Sequence, residues 1–144
     1  MNSPTNTASR FGTAWLLLCA ALALHVADEA LTGFLDIYNP TVEALRQQVP
    51  YFPMPTFTFR GWLTGLIVAV ILLSALSVAA FRGKRWMAPL AYVFGFFMLL
   101  NGCGHIAGSI YLGRLMPGFH SAPLLLAASI NLIVRARRVR SATV

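Results

Sequence analysis

A histidine followed three and four residues later by acids, His25, Asp28 and Glu29 in the run ALALHVADEALTGF, lies inside an apolar stretch of this chain. Residues three and four apart share one face of an α-helix, so the imidazole and both carboxylates can address a common point. Three further polar groups, Asn101, His105 and His120, occur in later apolar runs, and the first two again stand four apart. An ionisable group placed in hydrocarbon costs at least ~2.5 kcal/mol, so a chain keeps one where it has partners. Imidazole nitrogen and carboxylate oxygen are ligands for zinc, iron or manganese, and a helical His with an acid four residues on can chelate. The candidate metal ligands are His25, Glu29 and His105; Asp28 and Glu29 are the candidate catalytic acid/base groups. Asp28, Asn101 and His120 are expected to orient a ligand or substrate. A divalent metal with an open position would suit an enzyme acting on a small apolar or lipid substrate. Two alternatives stay open: a proton-coupled carrier or small-ligand-binding protein that uses the same groups without a metal, and a structural network that pins helices together.

The surrounding sequence indicates a membrane setting. The chain has 144 residues, 58% of them hydrophobic and 10% charged, with a mean hydropathy of +0.70. That is too apolar for a soluble domain of this size. Four runs, Thr13–Leu35, Gly61–Phe81, Met87–Leu112 and Phe119–Val134, approach the roughly 20 helical residues that cross a bilayer core. The expected fold is an all-α integral membrane four-helix bundle. Net charge is +7, but the basic residues flank the apolar runs and form no soluble basic face. The bilayer is therefore the expected partner, and nucleic acid is not. With the N-terminus inside, Arg10, Arg82, Lys84, Arg85, Arg135, Arg137, Arg138 and Arg140 are cytoplasmic, leaving Arg46, Arg60 and Arg114 outside. The resulting expectation is a bacterial inner-membrane protein with both termini cytoplasmic. Residues 1–12 read as a disordered N-terminus, 13–134 as the helical domain and 135–144 as a basic tail against anionic headgroups.

All four acids, Asp28, Glu29, Asp36 and Glu43, fall at the outer end of the first run or in the loop beyond it. In that loop Asn39 and Pro40 resemble an N-cap and first helical position, predicting a short interfacial helix through TVEALRQQ. Pro50, Pro53 and Pro55 then break regular structure, and Tyr51, Phe52, Phe57, Phe59 and Trp62 read as an aromatic belt. Trp15 and Tyr111 also read as belt residues. Cys19 and Cys103 both lie in apolar runs and are expected to behave as small apolar side chains. At ~1.5 Å rise per residue, His25 lies roughly 18 Å, and Asn101 roughly 21 Å, from the cytoplasmic end of their helices. His105 falls level with Asp28 and Glu29, so the polar groups share one depth.

The run HVADE, the later NGCGH and the following MPGFHSA together resemble the HXXEE-domain family of small integral membrane proteins. The resemblance places the family's His on His25, its acids on Asp28 and Glu29, its Asn and His on Asn101 and His105, and its Pro-Gly on Pro117 and Gly118. It extends from Leu22 to about Asn131, and it departs from the name motif at Asp28, where that motif has Glu. The family is one without an assigned reaction, so the resemblance implies a site and not a chemistry.

Overall fold

In the computed structural model, residues 4–49 and 51–141 are described. They form six helices: α1 Pro4–Thr32, α2 Leu35–Gln48, α3 Phe59–Ala75, α4 Ser77–Phe81, α5 Met87–Leu112 and α6 Ala122–Ser141. No strand occurs among the described residues, so the chain is all-helical.

α1 begins well before the apolar run. The segment expected to be disordered is helical from Pro4, because Phe11 and Trp15 pack into the core and carry the helix back through the polar residues that precede them. Buried positions along α1 recur at helical spacing: Phe11, Trp15, Leu18, Leu22, His25, Val26 and Glu29. His25 and Glu29 thus continue the apolar stripe that faces the other helices. α1 packs on α3, α4 and α6, while α5 packs chiefly on α6 and touches α1 only sparsely.

Three helices, Asn6–Thr32, Phe59–Phe81 and Met87–Leu112, are long and apolar enough to cross a membrane. The sequence predicts a fourth. α6 begins at Ala122 and meets Arg135 after about 20 Å of apolar helix, which is short of a core of about 30 Å. The basic segment assigned to a tail continues α6 as far as Ser141, and the last three residues lie outside the described part.

The second apolar run is interrupted at Leu76, which separates α3 from α4. The cause is local. The indole N–H of Trp15 donates to the Leu73 carbonyl at 2.7 Å, the carbonyl that Ser77 would otherwise use in an unbroken helix. A side chain that takes a ladder acceptor is a recognised source of a break. Trp15 is fully buried, 5.3 Å from the Phe94 ring, and is therefore a core residue instead of the expected belt residue. Tyr111 is exposed.

α2 starts earlier than the Asn39-Pro40 signal predicts. Asp36 lies in its first turn, where a carboxylate complements the helix dipole, and Pro40 falls inside the helix. Asn39 has a different job: its amide donates to Phe57 O at 2.9 Å and accepts from Phe57 N at 3.1 Å. Tyr38 donates to Pro55 O and Arg46 to Met54 O. These bonds strap the proline-containing loop along α2. Thr58 then caps α3 by accepting from Gly61 N. Of the three prolines expected to break this loop, Pro50 lies outside the described residues.

Trp15→Phe keeps an aromatic ring in the core but removes the donor to Leu73. It is expected to destabilise the fold by roughly 1–3 kcal/mol, read as a lowered melting midpoint of the detergent-solubilised protein.

Candidate metal centre

α1 and α5 present their polar groups to each other with a turn laid across them. His25, Glu29 and His105 are all buried, at 0%, 4% and 6% exposure. Each offers one donor atom, and the three atoms lie within 4.8 Å of one another. Glu29 Oε1 stands 3.1 Å from His105 Nε2 and 3.6 Å from His25 Nε2. The two imidazoles meet edge to face, with ring centroids 4.7 Å apart. Ligands about 2.05 Å from a tetrahedral ion are about 3.3 Å from each other. The two separations from Glu29 bracket that value, and all three donors lie within 4.8 Å of one another, a spacing a small divalent ion could draw together.

The proton inventory around His25 is tightly constrained. Ser121 has one hydroxyl proton, and it donates to Asp28 Oδ2 at 2.8 Å, with the Ser121 backbone N–H donating to the same oxygen at 2.9 Å. His25 Nδ1 is 2.8 Å from Ser121 Oγ. The Nδ1 edge of the ring is thus engaged by Ser121, and Nε2 is the nitrogen turned to the rest of the cluster. That nitrogen faces Asn101 Oδ1 at 3.0 Å as well as Glu29. Two acceptor oxygens beside this nitrogen favour positive charge there, whether a proton on the ring or a metal ion. A ligating histidine whose other nitrogen is tied to a carboxylate through a hydrogen bond is the usual support for a metal site.

His105 supplies a second observation. Its Nδ1 is buried and has no hydrogen-bond partner among the described residues, an expensive condition for a polar atom. The Phe34 ring, 5.9 Å away, contributes no polar atom there.

The third contributor is the turn between α5 and α6. Gly113 ends α5 with φ 63°. Ser109 then donates to His105 O at 2.7 Å and accepts from Met116 N at 2.9 Å, fastening the turn to the His105 backbone. Gly118, at φ 82°, lies directly on the trio. A Cβ built there would stand 2.9 Å from both His105 Cε1 and His25 Cε1, and 3.0 Å from Glu29 Cγ. Only glycine suits this backbone angle and this space together.

The structure therefore brings together His25, Glu29, His105 and Asn101, all expected at one depth. Asp28 sits beside the trio and not within it: it holds Ser121 and lies 3.5 Å from His120 Nδ1. His120 has a side chain 65% exposed, so it marks the outer end of the polar group. Ser121 is the residue that sequence reasoning missed. Its signal was present in MPGFHSA, one position after a histidine, but a serine is common in apolar helices and only the fold shows that it links His25 to Asp28. Phe34 was missed for the same reason.

A model of the family described as "Protein of unknown function with HXXEE motif" matches residues 15–132. The chain belongs to this family. The matched span contains every residue of the centre, from His25 on α1 to Ser121 before α6. Comparison with curated proteins and with solved structures finds no match.

Gly118→Ala forces a side chain against three buried groups at a backbone angle it tolerates poorly. The expected loss is roughly 2 kcal/mol or more of stability, measured by thermal or denaturant unfolding. Ser121→Ala should cost less, about 1 kcal/mol, because His25 Nδ1 loses its partner while Asp28 keeps the residue 121 N–H and His120.

Proposed function

We propose that this chain is an integral membrane protein whose working centre is a divalent-metal site formed by His25, Glu29 and His105, serving an enzyme that acts on a small apolar or lipid substrate. The observation that carries this reading is the buried trio, whose donor atoms all lie within 4.8 Å of one another. Two imidazoles and one carboxylate make a three-ligand set, which in zinc chemistry goes with an open fourth position and a catalytic role. Such an ion would supply Lewis acidity or a water of lowered pKa. Asp28 and Ser121 hold His25 in register, and Asn101 fixes the opposite edge of its ring. Zinc, iron and manganese all suit this donor set.

The proposed placement has the N- and C-termini cytoplasmic in a bacterial inner membrane. α6 then serves as a fourth, short crossing whose arginines reach the headgroups along their flexible stems. A second reading is a proton-coupled carrier. It is favoured by the continuous run of polar contacts from His25 through Ser121 and Asp28 to exposed His120.

Elemental analysis of detergent-purified protein tests the first reading. About one equivalent of zinc, iron or manganese is expected in the parent, with at least a tenfold loss in a His25→Ala, His105→Ala double variant and in Glu29→Gln. Equal metal in parent and variants would overturn it. For the topology, an impermeant maleimide on intact cells should label Thr56→Cys, and should label Lys84→Cys only after permeabilisation.

A further inference from the structure

A separate cavity of about 330 Å³ opens between the C-terminal end of α1, α2 and the start of α3, within the size range of small-ligand sites. Phe34, Phe57, Phe59 and Trp62 form much of its wall, and Glu29 and Asp36 also line it. Phe34 and Trp62 stack with centroids 5.8 Å apart, and Phe59 stands 6.1 Å from Trp62. Trp62 is only 8% exposed, which separates it from a ring that simply lies in lipid. Asn39 also borders the cavity, but both ends of its amide are taken by the Phe57 backbone. No lysine, arginine or histidine lines the space, although the chain carries a net charge of +7. Asp36 makes no ion pair among the described residues.

We infer that this cavity binds an alkylammonium group, held by the aromatic rings of Phe59 and Trp62 and by the Asp36 carboxylate, with Phe34 stacked behind Trp62 as support. Aromatic faces attract cations through the ring quadrupole, most strongly for tryptophan and for quaternary ammonium. A carboxylate at the wall adds charge complementarity, and Glu29 extends it toward the interior. An anion would meet the Asp36 carboxylate and no cationic side chain in the wall. A neutral group of the same shape would gain the apolar contact and lose both attractive terms. The inference does not require the metal, because Phe34, Asp36, Phe59 and Trp62 are outside the ligand trio.

The test uses the full chain in detergent, titrated by calorimetry with choline and with 3,3-dimethylbutanol, its neutral isostere. Choline is expected to bind at least tenfold more tightly than the alcohol. Asp36→Asn and Trp62→Leu should each weaken choline by about tenfold, and Trp62→Phe should restore most of the affinity. Asp36 is exposed, so its variant tests the site without disturbing the core. Equal binding of choline and the alcohol, or unchanged choline affinity in both Asp36→Asn and Trp62→Leu, would overturn the inference. The His25→Ala, His105→Ala variant should keep choline binding while losing metal, which separates failure here from failure of the metal reading. Nanodiscs of phosphatidylglycerol, with and without phosphatidylcholine, distinguish the sources. Weaker choline binding when phosphatidylcholine is present identifies a lipid headgroup as occupant; equal binding identifies a free amine.

Discussion

Glu29 is an acid at 4% exposure on the packed face of an apolar helix, and an unpartnered carboxylate in such a place would cost several kcal/mol. Its partners are the two imidazoles: His25 stands one turn back on the same helix, and His105 meets it only when α1 and α5 keep a particular rotation and height. The helices otherwise touch sparsely. The contact of Glu29 with His105 and that of His25 with Asn101 are thus a principal tie between them. Apolar packing sets which faces turn inward, but it is tolerant of sliding by a fraction of a turn. Directional polar contacts are not, and they select one register.

The turn before α6 completes the enclosure because the Gly118 backbone and the Ser121 hydroxyl lie against the trio. Gly118 permits the approach, Ser109 anchors the start of the turn, and Ser121 and Asp28 anchor its end. Removing any one of these loosens a wall of the same chamber, so the site and the fold share their determinants. The aromatic cavity adjoins this chamber through Glu29 and Phe34, and α2 with its strapped loop forms the far side. A metal centre and an ammonium site in this arrangement would have one carboxylate in common, which provides a physical route for coupling between them.

Much of this was legible in the chain. The four-residue spacings of His25 with Glu29 and of Asn101 with His105 require a shared face, and counting rise per residue put the two pairs at one depth. The helical periodicity of α1 was equally plain. The departures each have a local reason. Among the described residues three helices meet the length and apolarity needed to span a bilayer, and the fourth apolar run forms α6, which reaches Arg135 after a shorter apolar stretch. The N-terminal residues are helical because core contacts at Phe11 and Trp15 outweigh the polar composition before them. The Asn39-Pro40 signal was overridden when the Asn39 amide found the Phe57 backbone. Trp15 read as a belt residue because composition does not reveal that its N–H has a carbonyl waiting on another helix.

Apolar content, helix periodicity and the spacing of the ionisable residues belong to the sequence alone, since each follows from side-chain type and from the fixed geometry of a helix. Those features settled the all-helical class and the residues that had to cluster. What only the tertiary structure decided is which atoms face which: Ser121 between His25 and Asp28, Gly118 against the trio, and the aromatic rings of Phe34, Phe57 and α3 around one cavity. These contacts join residues distant in the chain, and their distances depend on how whole helices rotate and stack, which no local spacing encodes.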